Sequence, residues 1–225
     1  LVQLNRVLED DDRATREKSW RLSMERRLQD REAINDIWTR LFEIRQQLAS
    51  NAGMDNYRDY AWMLRKRFDY TSEDCEMFQN AIEQVVVPAA GRVYERRKAQ
   101  LGVDRLRPWD LNVDPLGRDP LRPWATIEEF ETKAEAIFNS VDPQLGEYYA
   151  TMRRENLLDL PNRKNKRPGA FCTRLPLQKR PFVFMNAVGM QGDVRTLLHE
   201  CGHAFHGFEV YKSLPYSHQR SYPIE

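Results

Sequence analysis

The stretch Thr196-Leu197-Leu198-His199-Glu200-Cys201-Gly202-His203-Ala204-Phe205-His206 predicts one amphipathic α-helix, and the interpretation of the whole chain depends on it. At about 100° per residue, a helix collects its apolar side chains on one face and its histidines on the other. The apolar face comprises Leu197, Cys201, Ala204, Phe205 and Phe208. Gly192 precedes Asp193, a good N-cap residue. We therefore expect a helix that begins at Asp193, with a buried back and a polar front.

The polar front carries a pattern associated with metal chemistry. All 4 histidines of the chain lie between His199 and His218. The spacing His-Glu-x-x-His is typical of zinc peptidases when it lies on a helix. His199 and His203 would lie on one face, about 6 Å apart along the axis, within reach of one ion. Glu200, on the flank of that face, could act as general base on a metal-activated water. The pattern predicts a catalytic zinc site.

Two histidines leave this predicted site incomplete, because catalytic zinc usually has three protein ligands and one open position. His206 shares the face but lies roughly 10 Å along the axis from His199, so we interpret it as a substrate-facing residue. Glu209 stands at the last ligand position of a longer zinc-peptidase pattern, which requires glycine where this chain has His206. Spacing leaves His218 and Glu225 open as further candidates.

Composition narrows the classes of function. With 35 basic and 34 acidic residues, the net charge of +1 gives no field that favours nucleic acid or an anionic membrane. Cys75, Cys172 and Cys201 do not form a disulfide framework, which is typical of a cytoplasmic protein. We find neither an apolar run of about 18 residues nor a leader sequence. Leu1 is not an initiator residue, so we expect natural termini to be missing.

The first part of the chain, residues 1–101, is predicted to be a helical region because its apolar residues recur at helical spacing. The first long helix should begin near residues 10–12, and Asp30 should open the second. Thr71 or Ser72 should cap a later helix, and Pro88 should break or kink the one that contains it.

Residues 102–125, rich in proline and glycine, predict an irregular connection in which Asp110 holds a backbone turn. Residues 126–225 then form the N-terminal part of the catalytic zinc-binding region, truncated at its C-terminus. A capping box of Thr126 and Glu129 should begin one helix there, and residues 142–143 the next.

Residues 158–187 are predicted to be extended, with two short strands paired in a small antiparallel β-sheet before the zinc helix. Such a sheet can hold a peptide substrate as an extra strand on an exposed edge. It can equally be a structural hairpin. The residues themselves leave both interpretations open.

Four segments resemble a known family: residues 193–206, 184–187, 162–172 and 222–225. They are similar to the thimet-oligopeptidase family of zinc metallopeptidases, and within it to the oligoendopeptidase F branch. The resemblance covers nearly the whole chain. It implies a mainly α, helical zincin-type peptidase fold with a deep channel that admits only short, unstructured peptides.

The resemblance also implies roles for individual residues. His199 and His203 would bind one Zn²⁺ ion, and Glu200 would be the general base. The peptide would lie against an edge lined by Gly169-Ala170 and Asn186-Ala187. The third ligand would be a glutamate on a later helix, beyond residue 225 and distinct from Glu225, followed by the oxyanion donors. The chain would thus be an incomplete, weakly active or inactive fragment of a zinc endopeptidase.

The alternative from another class is a non-catalytic helical scaffold or peptide-binding protein with a chance zinc motif. A glutamate, a helix and a segment bearing tyrosine and histidine further downstream would favour the peptidase. A reading frame that stops at residue 225 would favour the scaffold. Peptide specificity and oligomeric state are not determined by the sequence.

Overall fold

The computed structural model describes residues 2–215. Within that range the elements are α1 (Val2–Val7), α2 (Arg13–Leu28), α3 (Arg31–Asn51), α4 (Tyr57–Leu64), α5 (Ser72–Ala81), a π turn (Ile82–Val86), α6 (Val87–Leu101), a 3₁₀ turn (Pro108–Asp110), α7 (Ile127–Val141), α8 (Pro143–Arg154), β1 (Leu158–Pro161), β2 (Phe171–Leu175), β3 (Arg180–Ala187) and α9 (Gln191–Ser213). The predicted mainly α class is confirmed. None of the helices in this range combines the length and apolar character needed to cross a membrane.

The described residues group into two compact units. We call residues 2–15 and 119–215 the first region, and residues 16–118 the second region. The predicted division at residues 1–101, 102–125 and 126–225 stays a prediction.

Helix starts in the N-terminal half follow the sequence pattern, with one exception. The Asp12 carboxylate accepts hydrogen bonds from the backbone N–H of Ala14 and Thr15 at 3.3 and 2.9 Å, so α2 has the expected acidic start. Thr71 forms a capping box with α5. Asp30 precedes α3 as predicted, but its side chain makes no capping bond and pairs instead with Arg26 at 2.7 Å.

Pro88 does not break its helix. The chain is helical throughout from Ser72 to Leu101, with the π turn immediately before α6 and Pro88 in the first turn of α6. Proline has no N–H to donate to the preceding turn, and its ring would clash there. A π turn widens the helix at such a point. Of the two predicted outcomes the break is wrong, whereas a kink stays a prediction, and the irregularity takes the form of an extra residue in the π turn.

The irregular connection is organised by Asp110, which is completely buried in the second region. Its carboxylate accepts a hydrogen bond from the backbone N–H of Arg107 at 2.9 Å, as expected for a turn. The same carboxylate pairs with the buried Arg16 guanidinium at 3.3 Å. Arg16 also donates to the Trp109 carbonyl at 2.9 Å, and Arg97 donates to the Asp110 carbonyl at 2.8 Å. The turn was predicted from sequence, whereas its two arginine partners were not.

The first region begins its helices with side-chain caps. The Thr126 hydroxyl accepts from the backbone N–H of Glu129 at 3.1 Å, which is half of the predicted capping box. The Glu129 carboxylate bonds to the N–H of Ala125 at 2.7 Å, one residue earlier than expected. Asp142 caps α8 through the N–H of Gln144 at 2.7 Å, as predicted.

The sheet has the strand order β1-β3-β2. β2 and β3 are antiparallel, with Phe171 opposite Phe184, so the predicted antiparallel pair is confirmed. β1 adds a parallel strand, with Leu158 opposite Val183, which the sequence analysis did not separate from the extended segment. The sheet is therefore mixed, and β2 is one of its edges.

α7, α8, the sheet and α9 enclose the core of the first region. Phe138 of α7 contacts Tyr149 of α8 and Phe205 of α9, with ring centroids 5.1 and 4.8 Å apart. The predicted apolar face of α9 is buried along its whole length: Leu197, Cys201, Ala204, Phe205 and Phe208. This packing sets the orientation of the opposite, histidine-bearing face.

Candidate functional site

The turn between β3 and α9 is closed by a carboxylate. α9 begins at Gln191 after Met190, so Asp193 is the third helical residue and not the N-cap that the sequence suggested. Its Oδ2 accepts three backbone hydrogen bonds, from Val188 at 2.9 Å and from Gly189 and Met190 at 2.8 Å. Gly189 has φ +89°, a left-handed conformation that favours glycine. Asp193 thus fixes where α9 leaves the sheet.

The structure brings His199 and His203 together on the polar face of α9. Their Nε2 atoms lie 3.2 Å apart. The ring centroids are 4.7 Å apart and the ring planes are nearly perpendicular, at 89°. His199 is exposed and His203 is half-buried. This is the juxtaposition expected from the spacing of the two residues on a helix.

The geometry of the pair fits a common zinc ion. Zinc binds imidazole nitrogen at about 2.0–2.1 Å in a tetrahedral arrangement, which places two such nitrogens roughly 3.3 Å from each other. The observed separation of 3.2 Å agrees with this value. Neutral imidazole is also among the donors that zinc prefers. His199 and His203 are therefore the residues that could hold the metal.

A third ligand does not join the pair in the part of the chain that the structure describes, residues 2–215. Glu209, one of the candidates from sequence, accepts a hydrogen bond from the Tyr148 hydroxyl instead, and this bond raises the pKa of Tyr148 to about 12. Glu209 is therefore not part of the candidate site. His206 is exposed on α9. His218 and Glu225 lie outside the described residues.

Glu200 lies beside the histidine pair in α9 and is only 9% exposed. Among residues 2–215 its carboxylate has neither a hydrogen bond nor an ion pair. It is close enough to β2 to affect Cys172: burial, and after it the charge of Glu200, raises the pKa of the Cys172 thiol to about 11. The carboxylate of Glu200 is therefore free, among the described residues, to interact with a ligand of the histidine pair.

β2 runs alongside α9 at the open edge of the sheet. A Cβ atom added at Gly207 of α9 would lie 3.5 Å from the Arg174 side chain of β2. Together with the influence of Glu200 on Cys172, this contact shows that the edge strand follows the helix past the carboxylate. A peptide added to that edge would extend along the same helix.

The four predicted substrate-binding residues of the sheet have different positions. Gly169 and Ala170 lead into the edge strand β2, and Gly169 is exposed. Asn186 lies in the central strand and donates hydrogen bonds to the Gly169 and Arg167 carbonyls at 3.0 and 2.8 Å. Ala187 is buried and is paired with β1 through Pro161. The structure thus joins Gly169 to Asn186, while Ala187 lies between strands. Their role with substrate stays a prediction.

Sequence reasoning missed an ion cluster of Asp159, Arg163 and Lys166, in which the Lys166 side chain is buried. The Lys166 side chain is 1% exposed, and its Nζ bonds to the Asp159 carboxylate at 3.0 Å and to the Asp159 and Pro161 carbonyls at 2.9 and 3.0 Å. Arg163 makes a bidentate pair with Asp159 at 2.6 and 2.9 Å. These bonds, those of Arg163 first, hold the pKa of Asp159 below its usual value. The sequence feature that could have revealed this cluster is Asp159, an acidic residue between Leu158 and Leu160 of a short strand.

The chain is similar in sequence to known peptidases. The family model described as Peptidase family M3 matches residues 6–225. Oligopeptidase PepF of Bacillus subtilis (strain 168) is 28% identical over 147 residues, which are 63% of this chain and 21% of that protein. The oligoendopeptidase F homolog of Borreliella burgdorferi is 29% identical over 152 residues, 64% of this chain and 25% of that protein.

Solved structures agree with the fold. A Bacillus anthracis protein provisionally named an oligoendopeptidase F superimposes with a TM-score of 0.86 at 26% identity, over 93% of this chain and 38% of its own. PZ peptidase A, solved with an inhibitor, gives a TM-score of 0.85 at 29% identity, over 94% of this chain and 37% of its own. The chain therefore spans little more than a third of these structures and at most a quarter of the two curated relatives.

Proposed function

Because this chain belongs to peptidase family M3, we propose that it forms part of the catalytic region of a zinc-dependent endopeptidase that hydrolyses short peptides. The names of its relatives, an oligopeptidase and an oligoendopeptidase F homolog, support this class of substrate. The observation that carries the proposal is the pair of Nε2 atoms 3.2 Å apart, with the nearly buried carboxylate of Glu200 beside them.

Each of the three residues has one task in this proposal. His199 and His203 would hold zinc through Nε2. When bound, zinc would supply Lewis acidity, which lowers the pKa of water towards neutral. The Glu200 carboxylate accepts the proton of the attacking water and returns it to the amine that leaves when the peptide C–N bond breaks. Glu200 itself is mostly buried in α9, which restricts the orientations of its carboxylate.

The third zinc ligand, a glutamate, and the oxyanion donors are proposed to lie beyond residue 225. Two observations support this: residues 2–215 supply no third ligand, and the relatives are several times longer than the matched segment. One missing oxyanion donor typically costs about 3 kcal/mol of transition-state stabilisation. The chain by itself should therefore bind zinc weakly and show little or no turnover.

The peptide is proposed to add as an extra strand at the open edge of β2, next to Gly169 and Ala170. Asn186 and Ala187 support this edge from the central strand, and His206 on the exposed face of α9 faces the substrate. We also expect a cytoplasmic location, since the cysteines of the chain are separate thiols.

The ligand assignment is tested by the zinc content of the purified chain. His199→Ala should remove most of the bound zinc because only one imidazole is left, whereas His206→Ala changes the same residue type on the same helix and should retain it. Elemental analysis after dialysis against buffered zinc measures both variants. Equal zinc in the unmodified chain and in His199→Ala contradicts the assignment. A full-length protein that never binds zinc favours the scaffold alternative.

The role of Glu200 is tested by Glu200→Gln in the full-length protein. This substitution keeps the size of the side chain and removes its basicity, so hydrolysis should fall by a factor of about 10² to 10⁴. Zinc content should not change. Hydrolysis of a fluorogenic peptide at the unmodified rate would rule out the proposed role.

A further inference from the structure

The segment that leads into the edge strand, residues 166–170, is held at two separate points. One is the amide of Asn186 in the central strand, and the other is the buried ammonium of Lys166. Neither is needed to form the strand pairing between β2 and β3, which begins only at Phe171. The segment itself is otherwise irregular and largely exposed. The pairing of β2 with β3 therefore does not explain the two attachments.

The Asn186 side chain has a single chemically acceptable orientation. Its Nδ2 lies 2.8 Å from the Arg167 carbonyl and 3.0 Å from the Gly169 carbonyl. Both partners are acceptors, so the donor nitrogen must face them, and a flipped amide would place three oxygens together. Both amide protons of Asn186 are thus committed to the segment. They are not available to a substrate.

The Lys166 attachment reaches the start of the edge strand through two aromatic rings. Lys166 Nζ lies 4.4 Å from the centroid of the Phe184 ring. Phe184 stacks on Phe171, with centroids 4.9 Å apart and planes 14° from parallel. Phe171 is the first residue of β2 and lies directly opposite Phe184. The cation, the two rings and the strand start therefore form one continuous stack.

Gly169 marks the position at which this support matters. It has φ +105°, a left-handed conformation, and an added Cβ would meet no neighbouring atom within 4 Å. Its backbone is therefore constrained by the bond from Asn186 and not by surrounding side chains. Without that bond, a glycine next to Pro168 would sample many conformations, and the strand edge beyond it would have to be ordered when the peptide binds.

We infer that Asn186 is a positioning residue: its amide, together with the Lys166 stack, holds residues 167–170 so that the open edge of β2 is ordered before a peptide arrives. The inference rests on the proposed function, since it takes that edge as the peptide site. It sharpens the expectation that Asn186 lines the edge against which the peptide lies: Asn186 supports that edge, and its donors are not offered to the substrate. Lys166 acts in the same way, from the other end of the segment.

The first test measures order directly. In Asn186→Asp a carboxylate oxygen faces the two carbonyls, and in Asn186→Ala both donors are removed without a change of charge. Asn165→Asp is the matched control, because it makes the same change on an exposed position of the same loop. Hydrogen–deuterium exchange of this chain should show backbone exchange in residues 169–175 at least tenfold faster in both Asn186 variants, and unchanged in the control. The α9 amides report whether each variant is folded.

The Lys166 stack has its own matched pair. Lys166→Met keeps an unbranched side chain of similar length and removes the charge, while Lys164→Met does the same at an exposed position of the loop. Exchange at residues 169–175 should accelerate in Lys166→Met alone. Equal exchange in both variants overturns the role of Lys166.

The second test uses the full-length protein and separates positioning from direct contact. Asn186→Ala should raise KM for a peptide substrate about tenfold and leave kcat within about threefold, with unchanged zinc content. A fall in kcat at constant KM indicates a direct contact in the transition state and overturns the inference. So does unchanged exchange at residues 169–175 in the folded variants while the unmodified protein hydrolyses peptide. An unmodified protein that hydrolyses no peptide overturns the proposed function itself, which is a distinguishable result.

Discussion

The first region has a core of fully buried apolar side chains, whereas most of the large apolar side chains of the second region are exposed. In the first region Leu197, Val183 and Tyr149 are inaccessible to solvent. In the second region, Ile37 and Trp38 of α3 are 66% and 60% exposed, although they recur at the same helical spacing. The two regions have similar patterns in sequence and different packing in the structure. Helical periodicity thus identifies an apolar face without showing what covers it.

The second region is held at its irregular connection by polar contacts beside the buried Trp109 and Val113. Arg16 and Asp110 are both buried and paired, and Arg97 holds the same turn. A buried ion pair is expensive to break, because the charge left behind lacks compensation. We therefore expect apolar burial to stabilise the first region and the Asp110 cluster to stabilise the second.

The largest effect is expected for Asp110→Ala. It removes the carboxylate that pairs with the buried Arg16 guanidinium, at a cost of about 3–5 kcal/mol. The free energy of unfolding from urea titration of this chain measures the loss. Asp36→Ala, an exposed aspartate of α3, is the control and should have little effect. Equal losses in the two variants would show that the Asp110 cluster does not hold the second region together.

Leu197→Ala should cost about 3 kcal/mol, because it removes buried apolar atoms and enlarges a cavity. Leu197 already borders a cavity of about 110 Å³ in the first region. Ile37→Ala removes an exposed side chain from the second region and should change stability by less than about 0.5 kcal/mol. Urea titrations of the two variants compare the regions directly. A loss in Ile37→Ala as large as that in Leu197→Ala would mean that the apolar face of α3 is covered in solution.

Removing a helix cap should lower the global stability when the helix carries core residues, and only the local stability when it does not. Thr126→Ala in the first region should lower the unfolding free energy by about 1 kcal/mol, since α7 carries core residues. Thr71→Ala removes an equivalent hydrogen bond from α5, which has no buried residues. It should accelerate hydrogen exchange within α5 and leave the urea midpoint in place. A shift of the midpoint in Thr71→Ala would place α5 in the same cooperative unit as its neighbours.

The smallest change in the free energy of unfolding is expected from the loss of the Asp159 charge as the pH is lowered. The bond from Arg163, followed by that from Lys166, holds the pKa of Asp159 below that of an unfolded aspartate, about 3.9. Its contribution to stability is therefore complete above that value and declines as pH falls through the lower, folded pKa. Urea titrations between pH 6 and pH 2 should show a component of acid sensitivity in the unmodified chain that Asp159→Asn lacks. Identical pH profiles would contradict a stabilising role of this cluster.

Much of the fold could be predicted because its signals are local. The acidic start of α2, the cap at Thr71, the start of α8 at Asp142 and the antiparallel pair of β2 and β3 all follow from neighbouring residues. The prediction for Asp193 was wrong, because an aspartate at the third helical position bonds back to the turn as readily as an N-cap bonds forward. The neighbouring residues are compatible with Asp193 either as the N-cap or as the third helical residue. The hydrogen bonds of the turn between β3 and α9 place it at the third position.

The candidate site divides in the same way. The approach of His199 to His203 follows from the four-residue spacing on one helix, which tertiary packing does not alter. The pairing of Glu209 with Tyr148 and the clamp of Asn186 on Gly169 join residues 61 and 17 positions apart in sequence. No spacing rule connects such residues.

The sequence by itself determined the helical character of the chain, the starts of several helices, the histidine pair and the similarity to zinc peptidases. All of these depend on residues within a few positions of one another or on a matched motif. Only the tertiary structure decided which apolar faces are buried, that Glu200 is enclosed beside β2, and that Lys166 and Asn186 support the edge strand. The physical reason is that burial and long-range hydrogen bonds depend on which elements pack together, a property of the assembled chain and not of any segment.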